Sequence, residues 1–251
     1  MVRAMLQRTL TALVFSLAGS LFVTAACDAG EATKTPVVVE LFTSQGCDTC
    51  PPADAVLAQI ADRKDVIALS LPVTYWDMLG WKDTLATDAN TRRQKAYAGA
   101  MGHGAVYTPQ MIIDGTTDMV GNRAQAVDAA IAAREASNDP VHVTLHATAG
   151  EVHIAIGAAS GEQDATIWLF RILSKATVKV GAGENNGRTL TYRNIVRDVK
   201  SIGLWKGQAV SIDLPRADPA APQHDAIAVV VQQGGYGRVL GAAMLGRPDY
   251  W

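Results

Sequence analysis

Val37-Val38-Val39-Glu40-Leu41-Phe42-Thr43-Ser44-Gln45-Gly46-Cys47-Asp48-Thr49-Cys50-Pro51-Pro52-Ala53-Asp54 is the stretch on which the reading of this chain turns. Its first six residues are nearly all apolar, as in a strand buried on both faces. A short polar loop follows, then two cysteines three apart, then two prolines. Proline lacks an N–H and is tolerated in a helix only at the first turn, so Pro51 and Pro52 pin a helix start just after Cys50. Val56, Leu57 and Ile60 supply that helix with apolar positions. A spacing of three at a helix start puts the cysteine Cα atoms roughly 5–6 Å apart, within reach of a disulfide. The expectation is that Cys47 faces solvent near free N–H groups of the first turn, which with the helix dipole favour its thiolate. Asp48 opposes this, so the thiol is expected to be moderately activated, with Cys50 one turn behind to resolve mixed disulfides.

Working outward, Val66–Val73 reads as a second buried strand and Leu85–Met101 as a helix. Met111–Ile113 and Met119–Val120 flank Asp114-Gly115, a hairpin signal, and alanine-rich Arg123–Glu135 reads as a helix. The order β-α-β-α-β-β-α over residues 36–137 is that of an α/β thioredoxin-like domain. Ser137-Asn138-Asp139-Pro140 breaks the pattern and marks a boundary. From 140 to 251 the chain turns to strands. Val141, Val143 and Leu145 alternate with polar residues, as do Val152, Ile154 and Ile156, and any hairpin register with an odd sum of paired numbers puts all six on one face. Further strands are expected at 165–173, 190–196, 209–214, 226–232 and 238–244, about seven in all, which suggests an all-β, sandwich-like second domain.

In this arrangement the strand Met111–Ile113 runs antiparallel to Val37–Phe42 and brings Pro109 beside Cys47. A cis Thr108–Pro109 peptide is expected there, exposing the backbone of Thr108 to an extended substrate and keeping a metal-competent side chain away from the thiols. Trp76 and Trp81 follow the second strand on the same sheet edge and form either an apolar rim for a partner or a cover for the core. The candidate catalytic residues are thus Cys47, Cys50 and Pro109, and the candidate substrate-binding residues Thr108, Tyr107, Trp76 and Trp81. The expected partners are thiols and disulfides of proteins or peptides. A disulfide that closes about four residues stabilises by only about 2 kcal/mol, against almost 5 for a loop of about 100, so a purely structural bond is the weaker reading. Two other classes stay open: a copper-binding metallochaperone helped by His103 or Met101, and a non-enzymatic binding module braced by the disulfide. His142, His146, His153 and Glu151 read as a solvated face, and no metal site or cofactor is assigned. Asp54 reads as helix-start chemistry and Asp77 as a weak proton carrier.

Arg3 and Arg8 precede an apolar run, Leu10–Val23, that ends in small residues, the pattern of a signal peptide over residues 1–26. The run is shorter than the roughly 20 residues of a membrane span. Cleavage after Ala26 or Ala29 satisfies the small-residue rule. Lipid attachment at Cys27 is the less favoured alternative, because Thr24 stands where a lipoprotein signal carries an aliphatic residue. A periplasmic or secreted location follows, where a lone Cys47/Cys50 pair can persist as a disulfide. Removal of the leader takes two of the 22 basic residues and leaves 24 acidic ones, a balance near −4 that argues against nucleic acid as a partner.

The segment Glu40-Leu41-Phe42-Thr43-Ser44-Gln45-Gly46-Cys47, then Cys50-Pro51-Pro52-Ala53-Asp54, resembles a bacterial family of secreted thioredoxin-like proteins catalogued as a domain of unknown function. Tyr75-Trp76-Asp77, Gly80-Trp81-Lys82-Asp83, Val106-Tyr107-Thr108-Pro109-Gln110, Asp114-Gly115 and Gly187-Arg188-Thr189-Leu190-Thr191-Tyr192 are similar to its further motifs. The resemblance implies a thioredoxin-like fold with Cys47 and Cys50 at a redox site, and no substrate. Pro72-Val73-Thr74 departs from the polar, histidine-containing segment expected there, so no acid–base role at that place carries over.

Overall fold

A computed structural model describes residues 35–136, 141–160, 164–216 and 223–246. The proposed leader, Cys27 and the boundary residues 137–140 lie outside the described residues. Strand β1 (Val37–Thr43) is buried along its whole length and pairs in parallel with β2 (Val66–Pro72), Val37 opposite Val66 and Thr43 opposite Pro72. Helix α1 (Pro51–Ile60) connects them. After a 3-10 turn (Thr74–Leu79) come α2 (Asp88–Ala100), the hairpin β3 (Gln110–Ile113) and β4 (Thr117–Val120), and α3 (Ala124–Ala136). The expected order of the first half is therefore present.

The continuous apolar run of β1 follows from its two covered faces. Val37, Val39 and Leu41 pack with Val56, Leu57 and Ile60 of α1 and with Val127 and Ile131 of α3. Val38 and Phe42 point the other way, into a core shared with Tyr97 of α2. Each such side chain contributes roughly 1.5–3 kcal/mol on burial. Glu40 interrupts this pattern and is itself fully buried. It is tolerated because Arg93 of α2, also buried, donates to it through Nη2 at 2.8 Å, and the Tyr97 hydroxyl donates at 2.6 Å.

The second half joins the same sheet. Strands β5 (Val143–Ala147), β6 (Glu151–Ile156), β7 (Ala165–Lys179), β8 (Thr189–Trp205), β9 (Val210–Pro215), β10 (Ala226–Gln233) and β11 (Val239–Leu245) are the seven expected. Among the described residues the sheet order is β11-β10-β7-β8-β2-β1-β3-β4, with β5-β6-β9 as a separate three-stranded sheet. A sandwich standing apart from the first half is therefore not what forms. Four of the seven strands extend the sheet begun by β1 and β2, in a mixed α/β fold dominated by one large sheet. The residue composition does change at 137–140, as the sequence shows, but strand pairing runs on across that change.

The reason is the open edge of β2, whose backbone groups need partners. Strand β8 covers that edge in parallel, Ser70 opposite Ile195. Two buried amides complete the junction: Asn194 donates to the Ala68 carbonyl at 3.0 Å, and Asn90 donates to those of Pro72 and Val196. The three-stranded sheet packs its apolar side on β7, β10 and β11. Its observed register, Val143 opposite Ile156 and Leu145 opposite Ile154, is one of the odd-sum registers, and it turns the six apolar positions toward that core.

Strands β7 and β8 are much longer than the apolar patterns at 165–173 and 190–196 suggest. Their extra length carries the hairpin tip past the sheet to the start of α1, where Val180, Leu190 and Tyr192 pack with Leu85 and Trp81.

Candidate functional site

Cys47 and Cys50 form a disulfide with their Cα atoms 5.4 Å apart, in the loop between β1 and α1. The loop is built from its own backbone and from a distant carboxylate. Cys47 N–H donates to the Ser44 carbonyl, and the Ser44 hydroxyl accepts from Gly46 N–H. Asp83, 3% exposed, accepts from Gln45 N–H at 2.8 Å and from Leu85 and Ala86 N–H. Asp77, considered from sequence as a proton carrier, instead accepts from Asp83 N–H at 3.0 Å and so supports this scaffold.

Two sequence expectations about Cys47 are corrected. Its sulfur was expected to face solvent, yet Cys47 and Cys50 are both 0% exposed, while Asp48 and Thr49 between them are exposed. It was also expected to meet free N–H groups of the helix. Pro51 and Pro52 have none to offer, and those of Ala53 and Asp54 donate to the Cys50 carbonyl at 2.9 and 3.1 Å. What lies near the sulfur is the Thr49 hydroxyl, at 3.4 Å.

The cover over Cys47 comes from the β7–β8 tip. Asn185, fully buried, donates through Nδ2 to the carbonyls of Gln45 at 3.0 Å and Cys47 at 2.8 Å. The Glu184 carboxylate accepts from Asp48 N–H at 3.1 Å. Trp81 lies beneath the tip, its Nε1 donating to Gln45 Oε1 at 2.8 Å. Glycine is needed at 181 because a Cβ there would lie 2.9 Å from the Trp81 ring. Neither Asn185 nor Glu184 was singled out from sequence, although the neighbouring Gly187–Tyr192 stretch was.

On the other side, Trp76 approaches the cysteine loop so closely that a Cβ on Gly46 would lie 3.2 Å from its Cβ. Its Nε1 donates to the Thr108 hydroxyl at 2.9 Å, and the Thr108–Pro109 peptide is cis. The register of β1 with β3, Phe42 opposite Gln110, brings this segment to the cysteine end of β1. Trp76 and Trp81 are both half-buried, so each covers core and borders the surface at once. Tyr107 is turned to other partners: its hydroxyl donates to Asp118 at 3.0 Å and its carbonyl accepts from Gln94. Burial, helped by Asp118, holds the Tyr107 phenol well above its ordinary range. His103 also meets Asp118, at 3.2 Å, and belongs to that hairpin cluster. In the second half, exposed His153 contacts Asp213, and no group of three or more His, Cys, Asp or Glu is placed to hold a metal ion among the described residues.

Asp54 lies one turn beyond Cys50 on α1, 8% exposed, and neither of its carboxylate oxygens has a hydrogen-bond partner. Burial pushes its carboxyl up to about 7, with the nearby Thr43 hydroxyl pulling downward and the Asp83 carboxylate adding to the rise. Tyr192 of β8 faces the same two carboxylates, and its phenol is raised by burial and by both. The sequence shows Asp54 at a helix start; its isolation behind the disulfide is a product of packing.

A family model described as protein of unknown function (DUF1223) matches residues 38–232. A crystal structure of protein AGR_C_4864 from Agrobacterium tumefaciens is similar over 86% of this chain and 96% of that one, with 36% identity and a TM-score of 0.75. HBP35 of Porphyromonas gingivalis covers 85% of this chain and 75% of its own at 12% identity and a TM-score of 0.60, a likeness of fold alone. No curated protein matches the chain.

Proposed function

The chain belongs to the family of unknown function DUF1223, and from the chemistry of its cysteine loop we propose that it is a thiol–disulfide oxidoreductase acting on cysteines of other proteins. The observation that carries this reading is the disulfide itself: it bridges three positions at a strand–helix junction, where it constrains too little chain to serve as a staple. The element order of residues 36–137 supports a thioredoxin-like arrangement, with Trp76 linking the cysteine loop to Thr108 and Pro109. In this reading the leader-like residues 1–26 export the protein, and exchange takes place in the periplasm or outside the cell.

In the reducing direction, the Cys47 thiolate attacks one sulfur of a partner disulfide, whose S–S bond breaks and releases the other sulfur as a thiolate. Cys50 then gives its proton to solvent, attacks Cys47, and displaces the second partner thiolate as the Cys47–Cys50 bond closes. Two electrons pass to the partner. The reverse sequence oxidises a dithiol, and the reduction potential against glutathione sets the direction. Thr108 offers backbone to the partner, while Trp76 and Trp81 flank its path and Tyr107, held by Gln94 and Asp118, supports the segment from behind.

The test is a trapping pair. Cys50→Ser should accumulate a mixed disulfide with partner proteins and Cys47→Ser should not, read on non-reducing gels. Equal trapping by the two variants overturns the assignment. A second reading, a binding module merely braced by the bond, is favoured by the burial of both sulfurs. Catalysis of insulin reduction by the wild type but not by Cys47→Ser separates the two.

A further inference from the structure

The cover over the cysteines is a specific clasp. Residues 180–188 close into a tight tip, with Val180 N–H donating to the Arg188 carbonyl and Gly187 N–H to the Val180 carbonyl. From this tip one amide group reaches two carbonyls, those of Gln45 and Cys47, and the adjacent Glu184 accepts from Asp48 N–H. Asn185 is itself held from behind, its Oδ1 accepting from the Arg188 guanidinium at 2.7 Å. The tip lies far from residues 45–48 in sequence, and apart from the buried Val180 and Asn185 and the half-buried Ala182 its residues are exposed. Gly181, Gly183 and Gly187 give it backbone freedom, the last two with positive φ of 74° and 80°.

We propose that Asn185 is an internal stand-in for the partner chain, occupying the backbone acceptors on which an incoming polypeptide docks, and that it thereby decides which substrates reach Cys47. This inference rests on the exchange chemistry proposed above. The Gln45 and Cys47 carbonyls belong to the loop of the attacking cysteine, and a ligand that displaces Asn185 docks best when it supplies N–H donors to them, since a buried carbonyl left bare is costly. An extended polypeptide carries such donors along its backbone; a small thiol without amides does not. The substrate class is therefore a disulfide or dithiol within an extended peptide segment, admitted when the tip withdraws. Folding of the two halves into one sheet makes the arrangement possible, because β8 runs directly from its junction with β2 to the tip.

The experiment uses the full mature chain, oxidised, as wild type, Asn185→Ala and Asn185→Asp. Reduction of the Cys47–Cys50 bond is followed by alkylation and mass measurement with two reductants, a water-soluble phosphine and a linear peptide dithiol. Removing the two donated bonds should accelerate reduction by roughly tenfold or more, since a tenfold change corresponds to the net worth of one or two hydrogen bonds. The gain should be smaller for the phosphine, which needs no docking. Asn185→Asp, which turns a donor into a repelled acceptor, should accelerate at least as much. Unchanged rates for both variants overturn the proposal. Should the variants fold poorly, wild-type hydrogen exchange reads the same clasp: the Asp48 and Gly187 amides should exchange by local opening, well ahead of those of β1, and equal protection overturns it. These measurements follow the protein's own disulfide. Failure of the oxidoreductase reading shows separately, as absence of electron transfer to insulin by every form.

Discussion

Two buried acids, Glu40 within β1 and Asp54 on the helix α1 packed over that strand, are treated in opposite ways. Glu40 is met by the Arg93 guanidinium and the Tyr97 hydroxyl. Arg93 donates onward to Gln232 of β10 at 3.0 Å and lies against the rings of Tyr97, Trp168, Phe170 and Tyr236, 4.9 to 5.7 Å from their centroids. Burial works against its charge, but the Glu40 carboxylate more than restores it, so the guanidinium is held above even its ordinary value. One ion pair thus ties α2, β1, β7 and β10 together across the two halves of the chain. Asp54 has burial without a partner, and its carboxyl is displaced toward neutrality. A buried charge that is paired serves architecture; one left alone responds to pH.

The comparison breaks most readily at Arg93. Arg93→Met keeps apolar volume but strands the Glu40 carboxylate, and removal of one partner from a buried pair costs about 3–5 kcal/mol. Urea denaturation should show a loss of that size, with the second half destabilised together with the first, since the cation bridges them. Separate unfolding of the two halves, with only one affected, contradicts the bridging role.

Asp54→Asn sharpens the other side. The folded-state value of about 7 lies above the ordinary carboxyl value of 3.8, so between those two the folded protein holds a proton that the unfolded chain has lost. Stability therefore falls as pH rises through this window and levels off above about 7. Asparagine removes that slope. The variant should match the wild type near pH 4 and exceed it by on the order of 2–4 kcal/mol at pH 8, in denaturation midpoints taken across the range. A constant offset at all pH values contradicts the isolated-carboxyl account.

The smallest expected effect is at Trp81. Trp81→Phe keeps the ring beneath the hairpin tip but deletes the bond to Gln45, a net loss of about 1 kcal/mol. Thermal melts should show that small change with β7–β8 pairing intact.

Much of the first half was legible because its signals are local. Prolines that cannot donate hydrogen bonds placed the start of α1, Asp114-Gly115 placed the β3–β4 turn, and an apolar run with two covered faces placed β1. The cysteine spacing follows from helix geometry alone. In the second half, alternation located the strands and even the parity of the β5–β6 register. It could not locate the outer reaches of β7 and β8, where polar residues alternate with few apolar ones. Burial of Cys47 was not legible either, because its cover arrives from a segment 138 residues away.

Residue order by itself determined the elements, the disulfide-forming pair and the turn toward β structure after residue 140, since propensity, proline chemistry and periodicity act over a few residues. Tertiary structure decided which edges meet, that Arg93 answers Glu40 and no cation answers Asp54, and that Asn185 closes over Cys47. Those outcomes depend on desolvation and on backbone groups seeking partners, and both are settled only when distant strands lie side by side.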